Sequence, residues 1–136
     1  MQTNSAFVLT AYIGWTMFLV VLMEVLRTRF LVTRTVAANE FRPDNSNLPP
    51  YMQRLARAHA NCVESFPIIG GLLVVALLTN RTGITDSLAL WLLFARMLQS
   101  SIHAVSTNVL ASWLRFFAFA IQIAIAVYWL WELLAR

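Results

Sequence analysis

Apolar residues dominate four stretches of the chain, and shorter polar segments separate them. The stretches cover about residues 6–26, 62–79, 86–105 and 112–135. A helix needs about 20 mostly apolar residues to cross the hydrocarbon core of a bilayer, so each stretch predicts a membrane-spanning helix. We expect the second helix to begin before its span, near Pro50. The third helix has natural N-cap residues in Thr85, Asp86 and Ser87.

The composition excludes a soluble protein. Of the 136 residues, 60% are apolar and 12% are charged, and the mean hydropathy is +0.69. A soluble domain averages about 45–50% apolar and about 25% charged residues, and one of this size could not bury so much apolar surface. The same figures exclude disorder, collagen, coiled coil and disulfide scaffold. We therefore predict an all-α integral membrane protein, a single four-helix bundle over residues 1–136.

The charge distribution predicts an orientation. All ten basic residues are Arg, against six acids, and a pI near 10.2 would indicate nucleic-acid binding in a soluble protein. Here most Arg residues lie in or beside the first loop, 27–60, whereas the second loop carries only Arg81. By the positive-inside rule, the first loop is cytoplasmic and both termini are outside. The short loops and the absence of Lys favour a bacterial inner membrane, and we predict neither a nucleic-acid partner nor a metal site.

Polar side chains from all four spans reach the same depth, the cytoplasmic third of the membrane. They are Glu24, Arg27, Arg57, Asn61, Glu64, His103 and Arg115. A charge inside a spanning helix costs about 2.5–3.5 kcal/mol on insertion scales, so such residues usually face protein or water and indicate function. Their convergence predicts a polar cleft near the cytoplasmic face.

Two of the helices carry these groups as stripes at helical spacing. The stripe on the second helix consists of Arg54, Arg57, Asn61 and Glu64. The stripe on the third consists of Arg96, Gln99 and His103. Several Arg beside a carboxylate and an amide suit a zwitterionic or polyanionic ligand, because guanidinium groups bind carboxylates through two parallel hydrogen bonds.

Structural interpretations of the same residues stay open. Arg54 and Arg57 are long enough to act as interfacial anchors whose guanidinium groups remain solvated. Glu64 has the charge to form a structural ion pair with an Arg of another helix. Arg96 lies near the middle of its span, where we expect a structural bond to Gln122 of the fourth helix.

Residues 54–67 (RLARAHANCVESFP) resemble the signature of the MAPEG family, the membrane-associated proteins in eicosanoid and glutathione metabolism. Arg57, Ala58, His59, Asn61 and Glu64 stand at the family's spacings. The resemblance extends over nearly the whole chain, with four spans, a long basic first loop, an Arg on the third helix and an Arg at the start of the fourth.

The resemblance implies a homotrimer whose active sites lie between neighbouring subunits near the cytoplasmic face. Such a protein binds glutathione in a bent conformation and uses its thiolate as the nucleophile. Carried over to this sequence, Arg57, Asn61 and Glu64 hold the tripeptide, and Glu64 takes its amine. Arg27 reaches glutathione, and Arg115 stabilises the thiolate.

Two positions differ from the family's eicosanoid members. His103 stands where these members often carry Tyr, and Ser65 where several do. His103 has the chemistry of a hydrogen-bond donor or a general acid/base. We also predict that Arg54 and Arg96 belong to the glutathione-binding residues.

The leading hypothesis is a membrane-bound glutathione transferase, with or without glutathione peroxidase activity, that conjugates lipophilic electrophiles in detoxification. Two alternatives stay open. One is a catalytically inactive family-like protein with a binding or regulatory role. The other is a small four-helix exporter that uses Glu64, although the strong charge bias of the first loop argues against the dual insertion common among such exporters.

Overall fold

The computed structural model describes residues 3–135, which form four long helices. They are α1 (Asn4–Val32), α2 (Pro50–Leu78), α3 (Thr82–Val105) and α4 (Val109–Ala135). Each is long and apolar enough to cross a membrane, and residues 3–135 contain no strand. The predicted all-α membrane bundle is confirmed.

α2 begins at Pro50, as predicted, with proline in its first turn, where the missing N–H has no helical partner to lose. α1 continues past its predicted span to Val32, and α4 begins slightly earlier than predicted, at Val109. α3 begins at Thr82, so the predicted N-cap role of Thr85, Asp86 and Ser87 is wrong. The turn after α2 is short because Asn80 adopts a left-handed conformation, with φ of 56°.

α3 is the central helix of the bundle. It packs against α1, α2 and α4, whereas α1 and α4 do not touch within residues 3–135, and α2 meets α4 over a short length. Tyr12, Leu73, Leu92 and Trp129 are fully buried in the core. The outward faces carry large apolar side chains, which a bilayer solvates in place of water.

Hydrogen bonds tie the helices together at the end of the bundle that holds both chain termini, here called the termini end. The Asp86 carboxylate of α3 accepts bonds from the Ser5 backbone N–H at 2.7 Å and from the Ser5 hydroxyl at 2.6 Å. Asp86 thus places a carboxylate at the N-terminus of α1, where the helix dipole favours negative charge. Asp86, which was predicted to cap α3, instead accepts hydrogen bonds from the first turn of α1, whose N-cap residue is Thr3.

Arg81 ties the α2–α3 turn to α4 at the same end. Its guanidinium donates to the backbone carbonyls of Glu132 at 2.7 Å and Leu133 at 2.8 Å. Those carbonyls belong to the last turn of α4, which lacks further helical donors and attracts positive charge. The termini end is therefore held by polar contacts from three helices.

A second polar cluster holds the long connection between α1 and α2, residues 33–49, at the opposite end, here called the connection end. The Asn45 side-chain oxygen accepts from Arg27 at 2.6 and 2.9 Å, and the Asn45 amide donates to the Met52 carbonyl at 2.8 Å. Arg27 also donates to the Arg42 carbonyl at 3.0 Å and pairs with Glu24 at 2.8 Å. Asn45 is fully buried and left-handed, with φ of 56°. The connection is thereby fixed to both helices.

Asp86→Ala should destabilise the bundle. The variant leaves the Ser5 N–H without its acceptor, and hydrogen bonds to charged groups contribute about 1.5–3 kcal/mol. We expect a lower midpoint of thermal unfolding in detergent than for the parent. Ser87→Ala is the matched control, since Ser87 is the exposed neighbour. Equal midpoints for the two variants would contradict the assignment.

Asn45→Ala should release the connection from α1 and α2. It removes the shared partner of Arg27 and Met52 and places alanine at a φ that favours Asn or Gly. We expect faster amide hydrogen exchange and faster protease cleavage within residues 33–49. Asn39→Ala, at an exposed position of the same connection, should leave both rates unchanged. Parent-like rates in the Asn45 variant would show that other contacts hold the segment.

Candidate functional site

An open seam between α2 and α4, floored by α3, carries three adjoining cavities. The deep cavity measures about 180 Å³, and its polar lining consists of Asn61, Glu64, Ser65, Arg96 and Gln122. The middle cavity measures about 270 Å³, and its polar lining consists of Asn61, Gln99, His103, Ser112 and Arg115. The mouth cavity measures about 370 Å³, and its polar lining consists of Gln53, Arg54, Arg57, His103, Thr107 and Arg115.

Shared residues make the three cavities one trough. Asn61 and Phe119 line both the deep and the middle cavity, and His103 and Arg115 line both the middle and the mouth cavity. The trough exists because α2 and α4 are in close contact over only a short length. It runs from the connection end into the middle of the bundle.

Arg96 forms the floor of the deep cavity. The residue is fully buried, and its Nη1 donates to the Asn61 side-chain oxygen at 2.6 Å. Its guanidinium carbon lies 5.8 Å from the centre of the Tyr12 ring, within cation–π range. The Nε and Nη2 atoms have no hydrogen-bond partner among residues 3–135. Arg96 is thus a buried cation with one hydrogen bond and two nitrogen atoms that lack one.

The predicted bond between Arg96 and Gln122 is wrong. The Gln122 amide instead donates to the Gln99 side-chain oxygen and to the Ala118 carbonyl, both at 2.9 Å. Gln99 lies one turn further along α3 than Arg96, and it is the residue that faces α4 at this level. Asn61 of α2 takes the Arg96 guanidinium.

Glu64 lines the deep cavity from α2 and is exposed there. The only salt bridge within residues 3–135 joins Arg27 to Glu24. Among residues 3–135, Glu64 therefore has no Arg partner of the kind that the structural interpretation requires. Its carboxylate presents negative charge to the same cavity as Arg96.

Arg115 and His103 belong to both the middle and the mouth cavity. Arg115 lies in the second turn of α4, and its Nη2 donates to the Ser112 hydroxyl at 3.1 Å. The Arg115 Nε is buried and has no partner among residues 3–135. His103, in the last turn of α3, is partly buried. A cation and an imidazole thus border the middle of the trough.

Arg54 and Arg57 supply positive charge at the mouth cavity. Arg54 Nε donates to the Ala104 carbonyl at 3.1 Å, which is the favoured placement of a cation near the C-terminus of α3. Arg57 is exposed. Arg54 is therefore held by a hydrogen bond to α3, whereas Arg57 is an exposed cation at the mouth cavity.

The structure brings most of the predicted site residues to the trough. They are Arg54, Arg57, Asn61, Glu64, Arg96, His103 and Arg115. Arg27 does not line the trough, since its guanidinium binds the connection through Asn45 and the Arg42 carbonyl. Gln122 was missed as a lining residue. The signal that would have found it is a lone amide in an otherwise apolar stretch of α4.

Among curated proteins, no significant match is found. The family model of the MAPEG family matches residues 5–135, nearly the whole chain. The four spanning helices and the polar trough agree with the resemblance carried by residues 54–67. The chain belongs to the MAPEG family.

Proposed function

We propose that the protein is a membrane-bound glutathione transferase that conjugates the glutathione thiolate to lipophilic electrophiles. The observation that carries the proposal is Arg115. Its buried, unpartnered Nε lies in the middle of a trough that has Arg57 at one end and Glu64 at the other. Family membership supports a protein of glutathione or eicosanoid metabolism.

The charges of the trough match those of glutathione, which has two carboxylates and one ammonium group. Arg54 and Arg57 offer positive charge at the mouth, Arg96 offers it at the floor, and Glu64 offers negative charge beside Arg96. Arg57 and Glu64 lie seven residues apart on α2, which is about 10 Å along a helix. This separation suits a tripeptide that spans the trough with its cysteine in the middle cavity.

The proposed chemistry needs only a thiolate and an electrophile. Arg115 stabilises the thiolate by charge, and the released proton leaves through the open mouth cavity or is taken by His103. The sulfur donates an electron pair to the electrophilic carbon as the bond to the leaving atom breaks, and that atom keeps the pair. His103 lines the same middle cavity, which supports a role for it in donating a hydrogen bond to the thiolate or in carrying the proton.

The lipophilic acceptor is proposed to enter sideways from the bilayer. Phe116 and Phe119 form the apolar wall of the middle cavity, and both are exposed on the outer surface of α4. A compound dissolved in lipid meets this wall without crossing water. The thiolate and the acceptor would therefore approach the same cavity from opposite directions.

We further propose a homotrimer in a bacterial inner membrane, with both termini outside and the mouth cavity open to the cytoplasm. The connection end carries Arg29, Arg34 and Arg42 in or beside residues 33–49, whereas Arg81 is the only Arg of the α2–α3 turn. This excess of Arg at the connection end is the reason for placing that end in the cytoplasm. In the proposed trimer, Arg27 of one subunit would lie near the trough of a neighbouring subunit.

Arg115→Ala should remove thiolate stabilisation while leaving the bundle folded. A neighbouring cation shifts such an ionisation by about 1–3 pH units, so the thiolate fraction at neutral pH should fall at least about tenfold. The readout is the ultraviolet thiolate absorbance of the detergent-solubilised protein on adding glutathione, together with the rate of conjugation.

Arg29→Ala is the matched control for charge, because Arg29 is an exposed Arg of α1 away from the trough. It should show the parent absorbance and rate. An Arg115→Ala protein that conjugates at the parent rate would overturn the catalytic assignment. Glutathione binding without turnover in the parent would favour the binding or regulatory alternative.

The orientation can be tested with single cysteines in a Cys62→Ala background. Asn39→Cys, in the connection, should react with a membrane-impermeant maleimide only in inverted vesicles. Thr79→Cys, beside the α2–α3 turn, should react only in intact spheroplasts. Both positions are exposed. The reverse pattern would place the mouth cavity on the outside and refute the cytoplasmic site.

A further inference from the structure

We infer that Ser112 is a positioning residue for the thiol chemistry, because its hydroxyl holds the Arg115 guanidinium at the middle cavity. The inference rests on the proposed function and deepens it by one step. Arg115 supplies the charge that stabilises the thiolate, and Ser112 determines where that charge lies. The consequence is that one hydroxyl group of α4 sets the pH at which the bound thiol ionises.

The first step is how few contacts fix the Arg115 side chain. Its Nη2 donates to the Ser112 hydroxyl oxygen at 3.1 Å, and this is the only hydrogen bond that the side chain makes among residues 3–135. The single salt bridge there does not include Arg115, and the Arg115 Nε is buried without a partner. An Arg side chain loses much rotamer freedom when it is fixed, so this one partner has a large share in where the guanidinium lies.

The second step is that the cavities show which position Ser112 selects. Arg115 lines both the middle and the mouth cavity, whereas Ser112 lines the middle cavity and not the mouth. The hydrogen bond therefore keeps the guanidinium beside the middle cavity, where the thiolate is proposed to lie. Without the hydroxyl, the side chain is free to extend through the open mouth towards water, as long basic side chains near a membrane interface do. Its charge would then be further from the sulfur and screened by solvent.

The third step is that Ser112 itself has a fixed backbone. Its N–H donates to the Asn108 carbonyl at 2.9 Å, and the Asn108 side-chain oxygen accepts from the Ala111 N–H at 2.7 Å. The second of these bonds is the bond that an N-cap residue makes. Arg115 follows Ser112 by three residues, which places the two side chains on the same face of α4. The capped first turn of α4 thus holds the hydroxyl to which the guanidinium binds.

The fourth step is that Ser112 is a neutral partner. The other ionisable side chains that line the three cavities come from α2 and α3, and they are Arg54, Arg57, Glu64, Arg96 and His103. None of the described residues that line the middle cavity is an Asp or a Glu. A carboxylate at the position of Ser112 would fix Arg115 but would also neutralise it. A hydroxyl fixes the guanidinium and leaves its whole charge for the thiolate.

The test follows the ultraviolet thiolate absorbance of glutathione bound to the full-length protein in detergent, as a function of pH. Ser112→Ala removes the partner of Arg115 but keeps the charge. We expect the midpoint of ionisation to rise by about 0.5–1 pH unit, which is less than the shift of about 1–3 units that a neighbouring cation causes. Below the midpoint, the thiolate fraction at a given pH should fall about three- to tenfold. Ser112→Thr keeps the hydroxyl and should restore the parent midpoint.

A second ligand separates positioning from a general loss of structure. S-methylglutathione has no thiol to ionise, so the Ser112→Ala and parent proteins should bind it with equal affinity in titration calorimetry. Ser101→Ala is the matched control, because Ser101 is an exposed hydroxyl of α3 that lines none of the three cavities. It should keep the parent midpoint. Weaker binding of S-methylglutathione by Ser112→Ala would overturn the positioning role.

The remaining outcomes distinguish this inference from the proposed function. A parent midpoint in Ser112→Ala, together with loss of the thiolate in Arg115→Ala, would overturn the inference and leave the proposed function standing. A raised midpoint that Ser112→Thr fails to restore would also overturn the inference, since the hydroxyl would not be its cause. Absence of a thiolate band from the parent protein would overturn the proposed function, and the inference with it.

Discussion

The guanidinium of Arg96 imposes a constraint that organises the centre of this bundle. An apolar four-helix protein could fill that position with leucine and gain stability, since a buried charge needs compensation from its surroundings. Here the compensation comes from two helices, through the Asn61 oxygen of α2 and the Tyr12 ring of α1. These contacts fix the guanidinium at the floor of the trough, and its Nε and Nη2 atoms have no hydrogen-bond partner among residues 3–135. The interior is therefore built around an incomplete polar cluster.

Much of this architecture follows from the sequence because the bilayer simplifies the problem. Hydropathy identifies spanning helices, since every backbone group must be satisfied within a helix there. The stripe from Arg54 to Glu64 also placed the polar wall of the trough correctly, because helical spacing determines which side chains share a face. What the sequence predicted best was which residues share a depth.

The choice of partners was harder to predict. Depth alone made Gln122 a reasonable partner for Arg96, but the rotation of α3 turns Gln99 towards α4 and Arg96 towards α2. Arg27 depends on a connection without hydrophobic periodicity, which folds back so that Asn45 occupies its guanidinium. Asp86 had the signature of a cap residue for α3, but its carboxylate accepts a backbone N–H from the first turn of α1. Each error concerns tertiary contacts, about which local spacing carries little information.

The polar contacts of Arg81 have a mechanical consequence. They attach the C-terminal turn of α4 to the α2–α3 turn, while α2 and α4 share only a short contact along the trough. A helix of 27 residues is about 40 Å long. Tilting it by about 5° around that attachment would displace its far end by roughly 3–4 Å. If α4 tilts about Arg81, the width of the trough changes most near Arg115, because Arg115 lies towards the opposite end of the helix.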